Sequence, residues 1–122
     1  MSLGVMGSSA GAGTVKIETG SYTGTGTNGS GAPNSLTFSG VPVFVWICRN
    51  DSTFMSMFNV ANLTSSFKSY GILFQSGNYV GQSSSNNAKI VGKTLSWYYS
   101  SDARWQLNES GVTYNWFAIT AG

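Results

Sequence analysis

Histidine is absent from this 122-residue chain, so the groups left to do chemistry are four carboxylates, one thiol, and aromatic and amide side chains. Without imidazole, neither a Ser-His-Asp nor a Cys-His nucleophile can be assembled, and His/Cys zinc sites are excluded. The carboxylates are Glu18, Asp51, Asp102 and Glu109. Glycoside hydrolysis needs two of them about 5–10 Å apart across a cleft. If residues 103–108 form a strand, Asp102 and Glu109 stand at its two ends, roughly 20 Å apart at about 3.3 Å per residue. Glu18 with Asp51 has no supporting pattern. No Asp-x-Asp sequence offers calcium a cluster of oxygens. The glycine-rich stretch 20–34 lacks both a following helix and the Gly-Lys-Ser/Thr of a phosphate cradle. Cys48 is the single cysteine, set in the apolar run VFVWIC. It reads as a buried reduced thiol and allows no intrachain disulfide. These absences point to a non-enzymatic protein with no metal and no cofactor.

What remains is the chemistry of recognition. Sugar binding asks for little ionic chemistry, because aromatic rings stack on the apolar faces of sugars and planar polar groups bond pairs of hydroxyls. Tyr98, Arg104, Gln106 and Asn115 have that make-up. Their common location follows from a strand pattern. Segments 94–100, 103–108 and 112–120 alternate apolar and polar residues and predict a three-stranded antiparallel meander. One face then carries the core candidates Trp97, Trp105, Tyr114 and Trp116. The other carries Tyr98 as a stacking ring, with Arg104, Gln106 and Asn115 as hydrogen-bonding groups. A one-residue slip scatters both sets, so the pattern selects this register. Loops 24–31 and 82–87 are the competing location, since binding residues often sit on loops held by a rigid scaffold.

The remaining elements are also strands. Residues 14–19 alternate Val15 and Ile17 inward against Lys16 and Glu18 outward, which predicts a half-buried strand. Residues 35–39 place Leu36 and Phe38 on one face. Residues 43–48 are apolar on both faces, which predicts a central strand covered on each side. Residues 53–60, 69–75 and 88–91 read as further strands, with 78–80 a short apolar island. No segment shows a 3.6-residue period, and short strands between turn signals indicate an all-β antiparallel sandwich. Residues 1–13, small and low in complexity, read as a linker or expression start before a single domain over 14–122.

Charge narrows the partners. Only 8% of residues are charged, and the six basic ones are scattered. No basic stripe marks a nucleic-acid binder, and no apolar run is long enough for a membrane-spanning helix. Charge this sparse favours assembly into an oligomer.

Two stretches carry a resemblance. Lys16-Ile17 leads through GSYTGTGTNGSGAPNSLTF to Pro42-Val43-Phe44-Val45, and WYYSSDARWQLNESGVTYNWFAI follows near the end. Together they resemble a β-rich domain near the C-terminus of tail-fibre and minor structural proteins of phages and prophages of Gram-positive gut bacteria. That family places a Gly/Thr loop before a Phe-x-Pro-like strand and ends on Leu-Asn-x-x-Gly-x-x-Tyr and Ala-Ile. Leu107-Asn108, Gly111, Tyr114 and Ala118-Ile119 match the ending. Phe38 and Pro42 are further apart than the family pattern. The resemblance spans residues 14–120. It implies a virion or cell-surface setting, a homotrimer, and a distal module recognising a host glycan, or else a purely structural trimerising or capping module. The layout also resembles H-type lectin domains, which are trimeric sugar-binding sandwiches. An adhesin-type binding domain unrelated to phage is the third reading.

Overall fold

A computed structural model describes residues 14–52, 54–70, 72–75 and 85–122. The proposed linker 1–13, the island 78–80 and residues 82–84 of loop 82–87 lie outside those residues. The strands are β1 (Val15–Thr23), β2 (Asn34–Thr37), β3 (Val41–Arg49), β4 (Met55–Asn59), β5 (Ile72–Gln75), β6 (Asn86–Val91), β7 (Thr94–Tyr99) and β8 (Thr113–Ala121). One 3-10 turn, Val60–Asn62, is the only helical element among the described residues. Five strands form one sheet in the order β1-β8-β3-β4-β5, and three form the other in the order β2-β7-β6. Every pairing is antiparallel. The all-β antiparallel sandwich expected from strand spacing is the fold.

Period-two alternation decides which face each sheet buries. In β3, Val45 and Ile47 are fully buried, as are Phe58 of β4 and Tyr114 and Ala118 of β8. Their partners across the core are Leu95 and Trp97 of β7 and Ala88 of β6. Trp97 joins the layers, with ring centroids 5.4 Å from Phe58 and 6.2 Å from Tyr22. Tyr22 in turn stacks on Tyr114 at 5.2 Å. Burial pushes both phenols up from their ordinary pKa. Gly20 leaves room for a ring, because a Cβ there would lie 2.5 Å from the Trp116 indole.

The C-terminal meander does not form. β7 belongs to the three-stranded sheet, while β8 crosses to the other sheet and pairs with β1 and β3. Residues 103–107 are turns rather than a strand. Trp97 and Tyr114 are core as expected, but Trp105 and Trp116 are only half-buried. β1 is turned the other way from its expected facing: Val15 and Ile17 are exposed on the outer side, while Lys16 and Glu18 pair with the buried Thr120 and Ala118. A further correction concerns β3. It is the middle strand of five, yet only its inner face is buried, and Phe44, Trp46 and Cys48 on the outer face are half-buried.

The end of the sandwich where β1 starts is tied by one carboxylate. Glu18 accepts hydrogen bonds from the Ser39 amide (2.9 Å), the Ser39 hydroxyl (2.8 Å), the Gly40 amide (3.2 Å) and the Thr120 hydroxyl (2.6 Å). The Ser39 amide, followed by the Thr120 hydroxyl, holds its pKa down from 4.5 to about 2. A depressed carboxylate contributes stability above its unfolded pKa and loses it as pH falls through the folded value. Thermal melts should therefore show this contribution fading between pH 4.5 and about 2. Glu18→Gln should lower the melting temperature at pH 7 and flatten the decline below pH 4.5. An unchanged pH slope in the variant would remove Glu18 from the acid sensitivity.

Candidate functional site

Turn chemistry, not strand alternation, shapes residues 100–112. The Asp102 carboxylate accepts the Arg104 amide at 2.9 Å, a local bond that competes with extended backbone. The chain then coils: the Asp102 carbonyl accepts the Gln106 amide at 3.1 Å, and the Ala103 carbonyl accepts the Asn108 amide at 2.8 Å. Leu107 takes a left-handed conformation with φ 57° while fully buried. Such a backbone is strained for a branched residue and persists only where its surroundings hold it. The Tyr22 hydroxyl donates to the Leu107 carbonyl (2.8 Å), and the Trp97 indole donates to the Gln106 carbonyl (2.8 Å).

Two buried amides clamp this coil onto the glycine-rich loop 24–33. Gln106 Oε1 accepts the Gly29 amide (3.0 Å) and the Tyr99 amide (2.9 Å). Its Nε2 donates to the Ala32 carbonyl (2.8 Å) and Asn34 Oδ1 (3.0 Å). Asn108 Oδ1 accepts the Thr25 amide (3.0 Å), and its Nδ2 donates to Thr25 Oγ1 (2.9 Å) and the Thr27 carbonyl (2.9 Å). Gly24 lies so close to the coil that a Cβ would sit 2.1 Å from the Glu109 carbonyl oxygen.

Loop 24–33, the turn after Arg49, and residues 100–112 thus share one end of the sandwich. Five of the chain's ten charged residues gather there. Arg49 bonds Asp51 at 2.7 Å through Nε and reaches Glu109 through Nη1. Arg104 pairs with Asp102 at 3.0 Å. Hydrogen bonds from Arg49 and Arg104 hold the carboxyls of Asp51 and Asp102 below the usual range. Trp105 lies among them, 4.9 Å from the Phe54 ring and stacked on Tyr99 at 6.2 Å. The three rings are half-buried, and the Arg104 side chain is 60% exposed.

The four residues expected to form one sugar-binding patch are separated. Tyr98 of β7 pairs with Asn87 of β6, not with Arg104, and its ring meets Phe67 edge-on at 4.9 Å. Asn115 is exposed on β8, in the other sheet. Gln106 is fully buried with four hydrogen bonds, so it braces loops and offers nothing to a ligand. Of the four, only Arg104 stands exposed at the loop end. The expected separation of Asp102 from Glu109 along an extended strand is also lost, since the chain coils between them. The competing location in loop 24–31 is drawn into this same end. Sequence reasoning missed Trp105, Tyr99 and Phe54 as a group; the Asp102-x-Arg104 turn signal was the readable clue.

A shallow cleft of about 280 Å³ lies elsewhere, on the outer face of the five-stranded sheet, lined by Trp46, Cys48, Asn115, Trp116 and Phe117. Partial burial raises the Cys48 thiol above its ordinary pKa, which disfavours the thiolate. Among the described residues no three His, Cys, Asp or Glu side chains group as a metal site, and no helix is long and apolar enough to cross a membrane. No family model, curated protein or solved structure matches the chain.

Gln106 sets the stability of this end. Removing one partner of a buried hydrogen bond leaves the other unsatisfied, at a cost of about 1–3 kcal/mol. Gln106→Ala strands several such groups and should destabilise the fold by about 3 kcal/mol or more in urea unfolding. Arg104→Ala, which breaks an exposed pair, should change it by less than about 1 kcal/mol. Equal effects of the two would mean that the clamp does not hold the loops.

Proposed function

We propose that this chain is a non-enzymatic recognition module of a phage tail fibre or related surface protein, and that it takes a host cell-surface carbohydrate at its loop-bearing end. One observation carries the reading: a charge-poor domain gathers half its charged side chains around an aromatic trio on braced loops. Trp105 and Tyr99 supply ring faces of the kind that stack on sugars, and Arg104 and Asp102 supply planar groups for hydroxyl pairs. Loops on a rigid sandwich are a frequent place for such sites. A homotrimer at the virion or cell surface goes with this reading.

The carboxylates favour a binder over a hydrolase. A glycosidase acid needs a raised pKa, whereas Glu18, Asp51 and Asp102 are all lowered by their partners. The fibre-assembly reading is favoured by a different observation, the apolar outer face of the five-stranded sheet.

The test is a glycan array probed with the full chain, followed by titration of the best ligand. Trp105→Ala should weaken binding about tenfold or more, which is about 1.4 kcal/mol, with the circular dichroism spectrum unchanged. Tyr98→Ala and Asn115→Ala should leave the affinity as it was. No binding to any glycan would defeat the carbohydrate reading. Retained affinity in the Trp105 variant would move the site away from this end.

A further inference from the structure

β3 is apolar on both sides, and the sandwich covers only one of them. The outer face continues from Phe44 and Trp46 of β3 to Phe117 of β8, whose ring lies 6.3 Å and 5.4 Å from theirs. Met55 and Met57 extend it onto β4, where Met55 Sδ accepts the Trp46 indole N–H at 3.1 Å. Ile17 and Val15 extend it onto β1 through the pairs Ile17↔Ile119 and Val15↔Ala121. Its exposed members are large: Ile17 is 69% exposed, Val41 45% and Val43 41%. Val43 stands out because the register shifts by one residue between Pro42 and Phe44.

No charged side chain projects from this face among the described residues. Lys16 and Glu18 pair with Thr120 and Ala118, which are buried on the inner side. Arg49 is turned to Asp51 and Glu109 at the loop end. Three nine-residue strands about 30 Å long and the five-residue β4, about 17 Å long, set about 4.8 Å apart, give roughly 510 Å² of flat area. Two such faces together exceed the roughly 1,000 Å² that separates specific interfaces from incidental contacts. Monomers rarely leave contiguous apolar patches of more than a few hundred Å² open to water.

The geometry points to this face as the surface through which copies of the chain pack on one another. A charge-free face meets its own copy without burying an unpaired charge or opposing like charges. A charged partner finds no complement on it. The first 13 residues of the chain are mostly Gly, Ser and Ala, with four larger apolar side chains, too few to cover such an area. The cleft beside Trp46 and Phe117 gives a protruding side chain of the other copy a seat. This assignment is independent of the carbohydrate reading, because the loop end stays uncovered.

Sedimentation velocity of the full chain between about 1 and 100 µM tests it. The parent should sediment as a multiple of 12.9 kDa. Ile17→Lys and Val43→Lys sit at exposed positions, so each should keep the parent's circular dichroism spectrum and raise the dissociation constant at least tenfold. Ile17→Thr, which keeps the β-branch, should act in the same direction should the lysine disturb the strand. Arg104→Ala, at the loop end, should leave the mass unchanged. A parent that stays monomeric at 100 µM overturns the assignment, and so does an oligomer that survives all three face variants. Assembly that appears only after residues 1–13 are removed also overturns it, since the chain's own first residues then cover the face.

Discussion

Two buried amides, Gln106 and Asn108, determine what one end of this sandwich looks like. Glycine- and threonine-rich loops have many backbone donors and acceptors and almost no apolar side chains to bury. Left alone, such a loop samples many conformations, and fixing each residue costs about 1–2 kcal/mol in entropy. Here Gln106 meets Gly29, Ala32 and Asn34, while Asn108 meets Thr25 and Thr27. The clamped loop and the coil then hold each other, with Leu107 forced into a left-handed turn between the two amides. The positions of Trp105, Arg104 and Glu109 follow from that clamp. Low-dielectric surroundings make a satisfied polar network of this kind rigid, and a partly satisfied one costly.

The same residues explain where the sequence was legible and where it was not. Strand identity could be read in 94–99 because alternation there reflects the core, and in 43–48 because a short continuous apolar run is bounded by turn signals. The sandwich followed from strand number and spacing. The segment 103–108 also alternates, but its period-two pattern has another origin: Gln106 and Asn108 are buried as braces, and Leu107 is buried between them. Polarity alone could not distinguish a buried amide from an exposed one. Apart from the Tyr99 amide, the hydrogen-bond partners of these two amides lie more than 70 residues away in the chain. Once 103–108 is a coil, the proposed patch of Tyr98, Arg104, Gln106 and Asn115 has no common face.

The apolar character of 43–48 was legible in full, and its meaning only in part. Two apolar faces require two covers, and the second sheet supplies one. The domain therefore divides its surface by chemistry. Charged and aromatic groups gather at the loop end, hydroxyl pairs such as Ser35–Ser96 and Thr37–Thr94 line the outer face of the small sheet, and aliphatic and aromatic side chains fill the outer face of the large one.

The nine-residue register between β1 and β8, from Val15↔Ala121 to Thr23↔Thr113, also has a mechanical meaning. Both strands begin or finish at the end opposite the loops. A tether ahead of Val15 and a load on the loops pull along β1. Hydrogen bonds between antiparallel strands run perpendicular to the strands, so this load shears the whole ladder at once. Pulling the two chain termini apart instead opens the ladder one pair at a time from Val15. The same strand pair thus resists tension along its length far better than it resists peeling from its chain termini.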